Sequence, residues 1–152
     1  MNPKFYTLPE FSVRFSETDA AGVVHFTHFL RWAENAEGDF FRTNGLRIFE
    51  KMPASAGAAG FPRVRVSADF FAPAHYADKI RVRIRPAALP LPNSRRIDWI
   101  FEIARVEKSG EETALAAGAW TSVCAEFFAD GSTHAANALP AALLRALEKT
   151  FF

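Results

Sequence analysis

Residues 13–46 read VRFSETDAAGVVHFTHFLRWAENAEGDFFRTNGL, and three patterns succeed one another across them. FSVRF (11–15) alternates apolar and polar side chains, which predicts a half-buried strand. SETDAAGVV (16–24) is built of small and turn-forming residues around Gly22. HFLRWAENAEGDFFRTN (28–44) predicts a helix. Its residues Phe29, Trp32, Ala33, Ala36 and Phe40 share one apolar stripe. Glu34, Glu37, Asp39 and Arg42 project elsewhere. Glu37 is expected on a solvated face, and Glu34 on a solvated face or a subunit contact. Gly38 weakens the helix interior by about 1 kcal/mol relative to Ala, and Gly45 is placed to stop it.

Outward from this stretch the period changes to two. A second short helix is expected within LRIFEKM (46–52) and a loop over ASAGAAG (54–60). RVRVSADFF (63–71), KIRVRIR (79–85), RIDWIFEIARVE (96–107) and ETALAAGAWTSVCAEFF (112–128) read as strands. In the second of these, Ile80, Val82 and Ile84 share one face. PAALPLPN (86–93) interrupts any ladder running through it. PAALLRALEK (140–149) predicts a terminal helix with Pro in its first turn. Short connections between the strands imply antiparallel pairing. An early helix followed by a sheet gives an α+β class, not α/β. One long striped helix must then bury itself against the concave face of that sheet, which resembles a hot-dog fold.

The chain of 152 residues is short enough for one domain spanning 1–152. Its 18 Lys and Arg nearly cancel 17 Asp and Glu, so charge makes no case for nucleic-acid or membrane-surface binding. No run of ~18 apolar residues is present to span a membrane. MNPKFYTLPEF lacks the pattern of a signal peptide, so the expected location is the cytoplasm. The lone Cys124 cannot make an intrachain disulfide, and core or interface is its expected place. The 16 Phe exceed what a core of this size calls for, which leaves some for a pocket or an interface.

The chemistry concentrates in the turn and the helix start. Asp19 precedes a helix whose first turn offers unpaired backbone N–H groups and the positive end of its dipole. Those groups could hold the carbonyl oxygen of an ester or thioester. A carboxylate just ahead of them could attack the carbonyl or activate a water. The bland alternative is that Asp19 caps a turn.

Glu17-Thr18-Asp19-Ala20-Ala21-Gly22-Val23-Val24, continued by Arg31-Trp32, Ala36, Phe41 and Gly45-Leu46, resembles the signature of the 4-hydroxybenzoyl-CoA thioesterase family of hot-dog proteins. SADFFAPAHYADK (67–79) fits that family's later pattern. The resemblance implies hydrolysis of an acyl-CoA to a free acid and coenzyme A. It implies Asp19 as the catalytic carboxylate and the Phe26 backbone N–H as the oxyanion donor. Gly22 would let the chain turn close to the thioester, with Val24, His28 and Trp32 around the substrate. Ser94, Arg95 and Arg96 correspond to a region that supplies polar groups to coenzyme A phosphates. No metal or organic cofactor is implied. A homodimer or homotetramer is, with the site between protomers.

This chain departs from the family at His25, where relatives often carry Tyr or Trp. His25 could donate a hydrogen bond, titrate near neutrality, or simply pack. His25 and His28 could in principle ligate a metal, but no third ligand is evident. Arg63, Arg65, Arg81, Arg83 and Arg85 read as solvated strand faces. The aromatic residues near the site favour an aromatic or medium apolar acyl group. Two other readings keep the fold: an acyl-thioester dehydratase or hydratase using His25 with Glu34 or Asp19, and a non-catalytic module binding an acyl thioester or a protein.

Overall fold

The computed structural model describes residues 4–48, 50–51, 57–128, 130–135 and 138–152. Its elements run β1 (Tyr6–Thr7), β2 (Phe11–Ser12), a single 3-10 turn (Phe15–Glu17), α1 (Thr27–Thr43), β3 (Glu50–Lys51), β4 (Gly57–Gly60), β5 (Arg63–Phe70), β6 (Lys79–Pro86), β7 (Arg96–Val106), β8 (Glu112–Val123), β9 (Ala125–Phe128), β10 (Thr133–Ala135) and α2 (Ala141–Phe151). The main antiparallel sheet has the order β1-β6-β7-β8-β5, with β2 also on β6. A smaller antiparallel sheet has the order β10-β9-β4-β3. This is the α+β architecture of a hot-dog, a long helix held by a curved sheet.

Helix α1 packs on β6 and β7. Its stripe of Phe29, Trp32, Ala33, Ala36 and Phe40 is buried throughout. Opposite it lie the inward residues of β6, Ile80, Val82 and Ile84, together with Trp99 of β7, all without solvent exposure. Burying each such side chain contributes about 1.5–3 kcal/mol. The helix stops in a Schellman motif: Gly45 takes φ +69°, its N–H bonds Arg42 O at 3.1 Å and Leu46 N–H bonds Phe41 O at 2.8 Å. Helix α2 closes one end of the core, where Phe151 meets Phe40 at 5.3 Å between ring centres.

Several expectations are corrected. The strand expected over 11–15 is only two residues long, because Ser12 pairs with Lys79, the first residue of β6. Val13 still exchanges hydrogen bonds with Asp78 O and the Ala77 N–H, at 2.9 and 3.0 Å; past it the chain winds into the 3-10 turn and leaves Phe15 exposed. The strand expected over 112–128 breaks at Cys124. Val123 pairs with Arg96, where β7 begins; the Cys124 N–H then bonds Arg95 O at 2.7 Å, and β9 pairs with β4 instead. Gly57–Gly60 is therefore a strand rather than a loop, and Ala54–Ala56 lie outside the described residues. Glu50–Lys51 is a strand where a short helix was expected; Phe49 and Met52 of that stretch are outside the described residues.

Glu37 is buried, not solvated, with 2% of its side chain exposed. Its partner is Arg63, also no solvated strand residue, at 2.5 Å. Arg81 and Arg83 are likewise taken up, sharing Glu112, and Arg81 reaches Glu10 as well.

Candidate active site

The loop between the 3-10 turn and α1 is a closed local structure. Gly22 N–H bonds Asp19 O at 3.0 Å and Asp19 N–H bonds Val23 O at 2.8 Å. Gly22 sits at φ +78°, a conformation that L side chains resist. The Asp19 Oδ1 accepts the Ala21 N–H at 2.8 Å, so the turn holds one carboxylate oxygen. The other has no partner among the described residues, and Asp19 is exposed. The loop docks on the segment after β5: Val24 N–H bonds Ala74 O at 2.8 Å, Val23 bridges His75, and the Val24 side chain is buried.

Glu17 anchors the loop, and one of its bonds reaches the helix. The Glu17 Oε2 accepts the Arg14 N–H at 2.7 Å, and its Oε1 accepts the Trp32 Nε1–H at 2.9 Å. The His25 N–H bonds Glu17 O at 3.0 Å. Phe26 already has helical dihedrals, φ −54° and ψ −30°. The first helical bonds run from His28 N–H to His25 O and from Phe29 N–H to Phe26 O. The N–H groups of Phe26 and Thr27 are left without an acceptor among the described residues, at the positive end of a 17-residue helix. Unpaired donors there can hold an oxygen that gains negative charge.

Next to these amides is an apolar cavity of about 320 Å³. Phe26 at the helix N-cap and Phe29 of α1 form one wall; Phe70, Phe71, Ala72 and Pro73 form the other. Phe29 and Phe70 meet edge to face with ring centres 5.5 Å apart. Phe26 and Phe71 keep 55% and 59% of their surface exposed, which is unusual for Phe and marks a surface made to be covered.

Asp19, Gly22, Val24, His25 and Phe26 are thus brought together. His25 and His28 diverge: His25 Nδ1 lies 2.8 Å from Thr27 Oγ1, whereas His28 Nδ1 lies 3.9 Å from Glu17 Oε1. Trp32 is a core residue with its Nε1–H committed to Glu17. Ser94, Arg95 and Arg96 are not brought to this end of the protomer. Arg105, near the close of β7, bonds Pro73 O beside the cavity. Arg96 lies nine positions earlier on that strand, roughly 30 Å away at ~3.3 Å per residue. It is held by Asp98 at 2.9 Å, which raises the Arg96 pKa and lowers that of Asp98.

Sequence reasoning did not single out Phe70, Phe71 and Pro73 as a wall, though they stand inside the quoted 67–79 segment. It also missed the Glu37–Arg63 pair. Helical spacing held the signal, since residue 37 lies four after Ala33 and three before Phe40, on the buried stripe.

A helix cradled by an antiparallel sheet, with a carboxylate turn ahead of open amides and an apolar cavity beside them, defines the hot-dog class of acyl-thioester proteins. Residues 13–147 match the thioesterase-like superfamily, and the chain belongs to it. It is 39% identical over 95 residues to a 1,4-dihydroxy-2-naphthoyl-CoA hydrolase of Prochlorococcus marinus, a match covering 59% of this chain and 61% of the relative. Among solved structures, the dynemicin thioesterase superposes with a TM-score of 0.76 at 28% identity, covering 96% of each chain. A 1,4-dihydroxy-2-naphthoyl-CoA thioesterase from Synechocystis superposes with a TM-score of 0.74 at 26% identity, covering 94% of this chain and 95% of the other. No helix among the described residues is long and apolar enough to cross a membrane.

Proposed function

We propose that this protein is a thioester hydrolase that converts an aromatic or medium apolar acyl-CoA to a free acid and coenzyme A. The observation that carries the reading is the free oxygen of Asp19 in the turn ahead of the open Phe26 and Thr27 amides. The thioester carbonyl oxygen sits on those amides and the acyl group enters the phenylalanine cavity. Asp19 drives attack on the carbonyl carbon, as the nucleophile itself or through a water it deprotonates. Either way a C–O bond forms, charge passes to the carbonyl oxygen at the helix start, and the C–S bond breaks, the departing thiolate taking up a proton; on the nucleophilic route water then cleaves the acyl–Asp19 anhydride to the free acid and restores the carboxylate. No step calls on a metal or organic cofactor. The names of the relatives, hydrolases of bicyclic aromatic acyl-CoA, support the substrate class.

The proposal includes a homo-oligomer in the cytoplasm. Among the described residues strand β5 pairs only with β8 and its other edge is open, with Val64 61% and Val66 47% exposed along it. An open apolar edge invites strand pairing, and a second copy there would cover the exposed Phe wall as well. Light scattering on the purified chain should report a dimer or tetramer.

Thiol release from aromatic, short and long acyl-CoAs tests the chemistry. Wild type should turn over aromatic members, and Asp19→Asn should be slower by roughly 10²–10⁴-fold with binding retained. Near-normal turnover by Asp19→Asn would leave Asp19 a turn residue and sink the assignment.

A further inference from the structure

Across α1 from the phenylalanine cavity lies a second one, of about 570 Å³. It opens between the 3-10 turn and the outer face of the helix, with Arg14, Glu17, His28, Arg31, Glu34 and Asn35 around it. Its two acids are already matched. Both Glu17 oxygens accept hydrogen bonds, from the Arg14 backbone and the Trp32 indole. Glu34 stands 3.6 Å from Arg63. Its arginines are not matched: among the described residues, neither the Arg14 nor the Arg31 guanidinium has an ion pair or hydrogen-bond partner. Arg42, Arg63, Arg81, Arg83, Arg96 and Arg105 are each held by a carboxylate; Arg65, Arg95 and Arg145 are unpaired like Arg14 and Arg31 among the described residues, but Arg14 and Arg31 share one cavity. Two free guanidinium forks, a His and an Asn side chain therefore converge on one polar hollow.

We propose that this second cavity binds a phosphate of the carrier that brings the thioester, with Arg14 and Arg31 as its ligands. The inference rests on the thioesterase reading and extends it to the leaving-group side of the site. Guanidinium forks suit phosphate oxygens. Position supports the ligand as well. Arg31 is five residues past Phe26, about 7.5 Å along the helix axis at 1.5 Å per residue. Arg14 precedes the Asp19 turn by five residues. The thioester at the helix start would send its acyl group to one side of α1 and its long, flexible pantetheine arm to the other. The phosphate could be that of a phosphopantetheine arm, which coenzyme A and acyl carrier protein share, or one of the nucleotide phosphates of coenzyme A.

One acyl group presented on coenzyme A, on phosphopantetheine and on pantetheine separates these sources. For wild type, KM should be lowest with the phosphates present. In Arg14→Ala/Arg31→Ala, KM for acyl-CoA should rise roughly 10-fold or more while kcat/KM for acyl-pantetheine is unchanged. If phosphopantetheine behaves like coenzyme A, the shared phosphate is bound; if it behaves like pantetheine, the nucleotide's are. Arg145→Ala, on α2, controls for net charge, and a thermal melt shows that the double variant is folded. Equal losses on coenzyme A and pantetheine substrates would overturn the proposal. Calorimetric binding of coenzyme A and of pantetheine to wild type and double variant keeps the two readings apart. Preferential, arginine-dependent binding of coenzyme A without any hydrolysis would uphold the cavity and defeat the thioesterase. Equal binding of both compounds would defeat the cavity.

Discussion

Arg63→Met strands a carboxylate in the core. Arg63 approaches Glu37 at 2.5 Å and lies over the Trp120 ring at 5.0 Å from its centre. Removing one partner of a buried pair costs about 3–5 kcal/mol. Arg63 keeps 23% of its side chain exposed, so water reaches the gap and the lower end, about 3 kcal/mol, applies. For a domain of this size that is a fall in Tm of about 6–12 °C. The pH dependence has a definite sign. Burial raises the Glu37 pKa, with Arg63 the main opposing influence. A carboxyl whose folded pKa exceeds its unfolded one favours the fold below the unfolded value and loses that contribution as pH rises through the folded value. Without Arg63 the folded pKa climbs further. The deficit of Arg63→Met should therefore be small near pH 5 and full at pH 8. Urea unfolding at both pH values, at fixed protein concentration, measures it. Arg63→Met/Glu37→Gln should recover most of the loss at pH 8, since it removes the stranded charge. A deficit equal at the two pH values, or no recovery in the double variant, would refute this account of the pair.

Gly118→Ala should be more damaging than its size suggests. The added Cβ would lie 2.2 Å from the backbone Ser67 O and 2.6 Å from Phe101 Cζ, so a cost of at least about 1–3 kcal/mol is expected in a urea melt. Phe101→Leu in that background should relieve only the ring contact, because the Ser67 carbonyl is main chain. Gly22→Ala meets no atom within 4 Å and is opposed only by its φ of +78°. It should cost about 1–2 kcal/mol and reduce thiol release further by displacing Asp19, with Gly22→Asn milder on both counts.

What the sequence made legible was what local patterns decide. The buried stripe of α1, the alternation of Ile80, Val82 and Ile84, and the turn from Asp19 to Gly22 each follow from residues within a few positions of one another. What it hid was set by partners distant in the chain. Gly57–Gly60 has no strand-forming composition and is a strand because β9 pairs with it. Alternation runs on through Cys124, and the break there comes from the start of β7 at Arg96. Glu37 lay on the buried period, but its charge argued for solvent until Arg63, 26 residues away, was in view. The length of β7 sets where Ser94, Arg95 and Arg96 stand within the protomer, at the end of the sheet away from Phe70.

These long-range contacts also say why one helix can serve so many ends. Helix α1 packs mainly on β6 and β7, and side chains that extend past that contact reach β5. Phe29 meets Phe70 at one end of β5, and Glu37 meets Arg63 at the other. The apolar contact is a cavity wall, where a substrate needs room, and it leaves Phe70 48% exposed. The ionic contact lies two to three helical turns away, and it fixes the spacing of helix and strand without filling the cavity. A bulkier apolar bridge near Phe29 would hold β5 as well but would occupy the space the acyl group needs. Placing the buried charge pair at the opposite end of the strand separates the task of holding the edge strand from the task of admitting a substrate beside the open amides.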